Sequence, residues 1–178
     1  MANPCSLCDA RCCRDYMIGV TPFDVLRIAK NTGLKPESFS GLYAKNVFKY
    51  DFDTAIETKG GKQHLLYFKS PPCPFLAKGG HCTVRGFAPL VCRVYPYTEK
   101  GRLKRNPKCG FFNKLLFRLR GPEAVSQYND EYAIYVRIAA RWNRKKGTKD
   151  AAFRFIMAEA AKETEARKSA LDVFKDRE

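Results

Sequence analysis

Cys5-Ser6-Leu7-Cys8-Asp9-Ala10-Arg11-Cys12-Cys13 places four thiols within nine residues near the start of the chain. Two residues between Cys5 and Cys8 let one tight turn aim both sulfurs at a single ion, the knuckle geometry of zinc and many iron–sulfur sites. The doubled Cys12-Cys13 says more. Neighbouring side chains diverge in strand or helix, so the pair points to two nearby ions, one bridged cluster, or a ligand beside an auxiliary thiol. Buried apolar side chains have no reason to cluster this way. Clustered, soft thiolates read as metal ligands.

Four more cysteines follow at 73, 82, 92 and 109. Cys73 and Cys82 flank the turn Lys78-Gly79-Gly80, so both can close on one point. His81 is a conceivable substitute ligand, but beside Cys82 it reads as a supporting or exposed side chain. His64 falls in a predicted strand. With only two histidines in the chain, any site is sulfur-dominated. That favours zinc or an iron–sulfur cluster over a two-His-one-carboxylate iron or a three-His zinc. The pooled set, Cys5, Cys8, Cys12, Cys13, Cys73, Cys82, Cys92 and Cys109, suffices for two four-coordinate sites or one cluster with spare thiols. The amino-terminal segment is therefore expected to fold back onto residues 73–109, with Cys13 the misdirected member.

The 178 residues suit one domain. A hydrophobic fraction of 45% and an aromatic fraction of 13% exclude a disordered or collagen-like polymer. No apolar run is long enough to cross a bilayer, and Met1-Ala2-Asn3-Pro4-Cys5 lacks a basic start and an apolar h-region. Cytoplasmic localisation is expected, where eight thiols read as ligands rather than disulfides. Of the net charge of +15, ten units fall in residues 71–121, which hold eleven Lys/Arg against the single acid Glu99. Four thiolates around one zinc, or around a four-iron cluster, leave a double negative charge that positive neighbours stabilise. Arg85, Arg93, Lys100, Arg102, Lys104, Arg105 and Lys108 are the candidates. The basic 100–108 loop also suits phosphate contacts, although Gly101, Asn106 and Pro107 make it look like a solvated turn standing apart from the metal.

The expected fold class is α+β: a small metal-organised cysteine-rich core with a β-hairpin, packed with a helical C-terminal region. Residues 1–121 form the metal-binding part and 122–178 the helical part of a single domain. Thr21-Pro22-Phe23-Asp24 signals a helix start and Asn31-Thr32-Gly33 its stop. A second helix is expected from Pro36 through Leu42 and Tyr43. Val47–Phe52 and His64–Phe68, around Lys59-Gly60-Gly61-Lys62, predict the hairpin. Residues 70–110 contain six prolines and little periodicity, so their order must come from the cysteines. Val125, Tyr128, Tyr132, Tyr135, Ala139 and Trp142 make an apolar helical stripe, read as packing. A last helix over about 149–175 carries Phe155, Ile156, Leu171 and Phe174.

Taken together, the spaced and doubled cysteines, Cys73-Pro74-Phe75-Leu76, Gly80-His81-Cys82, Pro89-Leu90-Val91-Cys92-Arg93-Val94-Tyr95-Pro96 and the late Cys109 resemble the YkgJ-type cysteine-cluster family over residues 5–110. The resemblance implies chelation of zinc or iron, and a related cysteine module occurs in flagellin lysine methylases. Two positions depart from the family pattern. The spacer before Cys12 has three residues where two are expected, and Ala88 stands where an arginine is usual. The expected function is thus metal binding through a cysteine-ligated iron–sulfur cluster or zinc. The alternatives are a zinc-organised module for nucleic acid or protein, and a metal-dependent transferase suggested by the methylase relatives. No phosphate-cradling loop, nucleophile elbow or His-Glu-x-x-His run accompanies the cysteines, and Asp51 and Asp53 read as solvent-facing.

Overall fold

The computed structural model describes residues 10–44, 52–104, 115, 118–119 and 124–175. Thr21 opens the first long helix as the sequence predicts. Its hydroxyl accepts the Asp24 N–H at 3.1 Å, and the Asp24 carboxylate accepts the Thr21 N–H at 3.0 Å. This reciprocal capping box satisfies donors at a helix start that have no partner within the helix. The helix α2 runs Pro22–Thr32 and ends on Gly33 at φ 71°, a left-handed cap that glycine adopts without a Cβ penalty. It follows a short helix, α1, over Arg11–Asp15.

The next helix, α3, stops early. It spans Pro36–Phe39, and Ser40–Ala44 continues as strand β1. Leu42 and Tyr43 are therefore strand residues, contrary to the expected longer helix. The tertiary partner decides this, because β1 pairs antiparallel with β3, Gln63–Phe68, from Ser40 opposite Phe68 to Ala44 opposite His64. The hairpin at Gly60-Gly61 also exists, but its first arm is β2, Ile56–Glu57. Both glycines have positive φ, 87° and 73°, which the turn requires. Of the arm expected over Val47–Phe52, residues 47–51 lie outside the described residues. The sheet order is β1-β3-β2, with β3 in the centre and buried from His64 through Phe68.

Residues 70–104 hold one 3₁₀ turn, Arg85–Phe87, and the short helix α4, Leu90–Val94. Two long helices follow, α5 over Val125–Asn143 and α6 over Lys149–Lys175. The α+β class is as expected. The main core joins Val25 and Ile28 of α2, Leu42 of β1, Phe68 of β3, Ile138 of α5 and Ile156 of α6. Phe39, Phe68 and Phe75 meet edge to face at 5.3–6.0 Å between ring centroids, which draws the loop-rich region into the same core. At its far end α5 clamps the sheet edge. Trp142 Nε1 donates to the Glu57 carbonyl at 2.7 Å, and the Asn143 side chain both accepts from the Glu57 N–H and donates to the Ala55 carbonyl, each at 2.8 Å. These bonds satisfy edge groups that a two-residue strand leaves open.

Asp24 reaches beyond its own helix. Its Oδ1 accepts the Leu90 N–H at 2.9 Å, capping α4, and the Arg27 guanidinium at 2.8 Å. Arg27 in turn pairs with Glu131 of α5. Burial works against the Arg27 charge, but Asp24 and Glu131 outweigh it and hold the guanidinium protonated. Replacing Asp24 with Ala should cost about 3–5 kcal/mol, because it breaks a buried ion pair and leaves buried donors unmatched. Chemical denaturation of the metal-free protein measures this, and a loss under about 1 kcal/mol would remove Asp24 from its central place. Gly147→Ala should also destabilise, since a Cβ there would sit 2.7 Å from the Trp142 ring.

Candidate metal centre

Cys12 and Cys13 sit in the single turn of α1, whose amino end is set by Ala10 at φ 57°. This turn is fastened to the second cysteine region through the backbone: the Cys73 N–H donates to the Cys13 carbonyl at 2.7 Å. Beyond Cys73 the chain makes a narrow ribbon. Leu76 and Cys82 form an antiparallel bridge, the Ala77 N–H donates to the His81 carbonyl at 3.0 Å, and the Thr83 N–H donates to the Phe75 carbonyl at 3.0 Å. Gly80 turns the ribbon at φ 78°. Cys92 arrives from a third direction, on α4, and the Arg85 guanidinium donates to its carbonyl at 3.4 Å.

The three segments meet at one cavity of about 230 Å³, lined by Cys12, Cys13, Cys73, Cys82 and Cys92. Apolar side chains, among them Ile18, Phe68, Phe75 and Val91, complete most of its wall, and Arg85 and Lys104 add positive charge. The fold-back of the amino-terminal segment onto the 73–92 region is thus present for Cys12 and Cys13. Cys5, Cys8 and Cys109 lie outside the described residues. The five described cysteines are all free thiols. Among the described residues, no three His, Cys, Asp or Glu side chains are drawn into a metal-binding arrangement.

Cys13, the member expected to be misdirected, is among the residues that line the cavity. Its sulfur lies 3.9 Å from that of Cys12, and both residues line the cavity. The two successive side chains come this close within the single turn of α1. The spacing also fits one tetrahedral ion, whose ligand–ligand edge for zinc–sulfur bonds of about 2.3 Å is ~3.8 Å.

Three of the thiols, Cys12, Cys73 and Cys92, are shifted toward the protonated form. Cys12 is raised, first by its hydrogen bond with Cys13 and then by burial. Burial, reinforced by the Cys82 and Cys12 charges, pushes Cys73 up to about 11. Cys92 is raised well above the usual thiol range by burial and then by the Cys12, Cys73, Asp24 and Cys82 charges. A divalent ion reverses this balance, since coordination deprotonates a thiol outright.

Other candidates separate clearly. His81 is exposed and His64 is buried in β3, where burial lowers its pKa; neither lines the cavity. Asp53 is exposed, and Asp51 lies outside the described residues. The basic turn is less detached than its composition suggests. Tyr97 and Leu103 form a bridge that brings Lys104 to the cavity, where its Nζ lies 5.3 Å from the Tyr95 ring centroid. Arg105 and Lys108 are outside the described residues. Sequence reasoning did not single out the apolar wall, which is assembled from β3, the ribbon and α4 and has no local signature.

A family model matches residues 4–110, with the description "CxxCxxCC: Putative zinc- or iron-chelating domain". No curated protein and no solved structure matches the chain.

The ribbon turn offers a test that leaves every thiol in place. Gly80→Val forces a β-branched residue into a left-handed conformation, at about 1–2 kcal/mol. It should lower metal affinity in a chelator competition while stoichiometry at saturating metal stays that of the wild type. Unchanged affinity would mean that the ribbon does not position Cys73 and Cys82.

Proposed function

Since the chain belongs to the CxxCxxCC family of metal-chelating domains, we propose that its cysteine cavity holds zinc or an iron–sulfur cluster through thiolates. The observation that carries this reading is the convergence of Cys12, Cys13, Cys73, Cys82 and Cys92, from three separate segments, on one cavity. Cys5, Cys8 and Cys109 are proposed to complete the set. The donor chemistry fits: every candidate ligand is a soft sulfur, no histidine lines the cavity, and Arg85 and Lys104 supply positive charge beside an anionic centre. When bound, the metal supplies the cross-link that a loop-rich region lacks, and, as a cluster, an electron-transfer group.

The chain's own residues have definable parts. Asp24 fixes α4 and so the approach of Cys92. The bond from the Cys73 N–H to the Cys13 carbonyl holds two cysteine segments in register before any ion arrives. The apolar wall limits water, which protects thiolate–metal bonds from proton competition and oxidation. Arg85, held against the Cys92 carbonyl, and Lys104 offset the charge of the thiolates without serving as ligands.

Elemental analysis of anaerobically purified protein should give metal bound in stoichiometric amount. Broad absorption near 400 nm identifies an iron–sulfur cluster, and a colourless metalloprotein identifies zinc. Cys82→Ser and Cys92→Ser should each lose most of the metal. Full metal content in both would defeat the assignment. Chelation should raise hydrogen exchange over residues 72–104 while the long helices stay protected, because these helices keep their packing without the ion.

A further inference from the structure

A second cavity, of about 180 Å³, lies on the other side of Val91 and Gly19, which line both cavities. Its walls include four tyrosines: Tyr67 from β3 and Tyr128, Tyr132 and Tyr135 from α5. The tyrosines of α5 belong to the apolar stripe that the sequence marks as packing. Tyr128 and Tyr132 do stack, at 5.9 Å between centroids and 26° between planes. Packing does not account for the space they leave. A water needs about 10–15 Å³ of such volume, so this cavity accommodates a small molecule.

Two features set the ligand class. The first is an unmatched polar atom: Tyr135 is 3% exposed, and its buried hydroxyl has no hydrogen-bond partner among the described residues. Burying a hydroxyl unpaired is costly, and a ligand in the cavity would relieve that cost. The second is charge. In a chain of net +15, no lysine or arginine lines this cavity, and its one charged lining residue is Asp24. Burial raises the Tyr128 and Tyr132 phenols, and the carboxylates of Asp24 and Glu99, for Tyr128, and of Asp53, for Tyr132, raise them further. Arg27 is shared between Asp24 and Glu131, so one guanidinium faces two carboxylates. Aromatic rings attract cations through their faces, and a lining with no lysine or arginine offers an anion no counter-charge.

We propose that the tyrosine cavity binds a small organic ammonium ion, with the rings of Tyr128, Tyr132 and Tyr67 enclosing the cationic group and Tyr135 Oη accepting an N–H where the ligand has one. This site is separate from the cysteine cavity and needs no metal. Tyr132 and Tyr128 are half-buried while Tyr67 and Tyr135 are buried, so the wall grades from solvent inward and the ligand enters past the α5 pair.

Three probes of similar shape test it: tetramethylammonium, protonated trimethylamine and the neutral neopentyl alcohol. Each is titrated into the full chain, with any metal it carries, and followed by NMR of the tyrosine rings. Both cations should bind saturably, at least about tenfold more tightly than the alcohol. Tyr132→Leu should weaken both cations about tenfold. Tyr135→Phe keeps the ring and removes only the hydroxyl. It should weaken trimethylammonium several-fold and leave tetramethylammonium, which has no N–H, unchanged. Failure of both cations to saturate, or equal binding of the alcohol, overturns the proposal and leaves a hydrated or plain apolar cavity. Should Tyr132→Leu fail to fold, the near-isosteric Tyr135→Phe still decides: equal affinity of trimethylammonium for that variant and the wild type removes the hydroxyl from the site.

Discussion

A carboxylate buried to 1% exposure sits where three parts of this protein meet. Asp24 closes the capping box of α2, caps α4 through the Leu90 N–H, and anchors Arg27, whose other partner is Glu131 on α5. An ion taken out of water is tolerated only when its lone pairs are filled and its charge is matched, and here both conditions hold. Four donors use the two oxygens: the Thr21 N–H and hydroxyl on Oδ2, and Leu90 and Arg27 on Oδ1. The donors serve three structural tasks, the α2 cap, the α4 cap and the link to α5, so moving any one of them unsatisfies the same carboxylate. The arrangement is all-or-none in a way that hydrophobic contacts, which slide and repack, are not.

The cysteine region inherits its position from that constraint. Helix α4 is only one turn long and cannot stabilise itself in isolation, yet it carries Cys92. It is fixed at its start, where Asp24 accepts the Leu90 N–H and the Leu90 side chain is fully buried, and at its end by the buried Val94. Cys73 and Phe75 are part of the main core, between α2, β3 and the long helices. The apolar framework thus brings sulfurs from three segments to one wall, and the polar hub sets the angle at which the last segment enters. Under the proposed metal binding, an ion would draw together sulfurs that already line one cavity, at a lower entropic cost than recruiting free loops.

Helix α5 serves both the main core and the tyrosine cavity. One face supplies Ile138, Ala139 and Trp142 to the core, and its earlier turns present Tyr128, Tyr132 and Tyr135 to the tyrosine cavity. Position along the helix decides which role a residue takes. Trp142 is held by the Glu57 carbonyl and packs on Phe155 at 5.4 Å, whereas the Tyr135 hydroxyl is left unmatched. Val91, next to Cys92, forms part of both cavity walls.

Much of this was legible in the chain itself. Capping chemistry and glycine turns are local, which is why Thr21 to Gly33 reads as a helix and Gly60-Gly61 as a turn without reference to anything distant. The concentration of soft thiols likewise announces metal chemistry, because few other uses suit so many adjacent sulfurs. Local rules stop where a residue's partner is far away in sequence. Leu42 and Tyr43 have helical neighbours but become a strand because β3 offers a ladder of hydrogen bonds. Cys12 and Cys13 reach the cavity wall because the Cys73 N–H holds the α1 turn against the second cysteine region. Lys104 reaches the cysteine cavity because Leu103 pairs with Tyr97. Asp24 reads as an ordinary first-turn acid, and only the approach of Leu90, sixty-six residues away, makes it the hub. Sequence determined which residues favour a cap, a turn or a soft ion. Tertiary structure decided which of them meet, since pairing, burial and the filling of a lone pair depend on the three-dimensional neighbour and not on the residue alone.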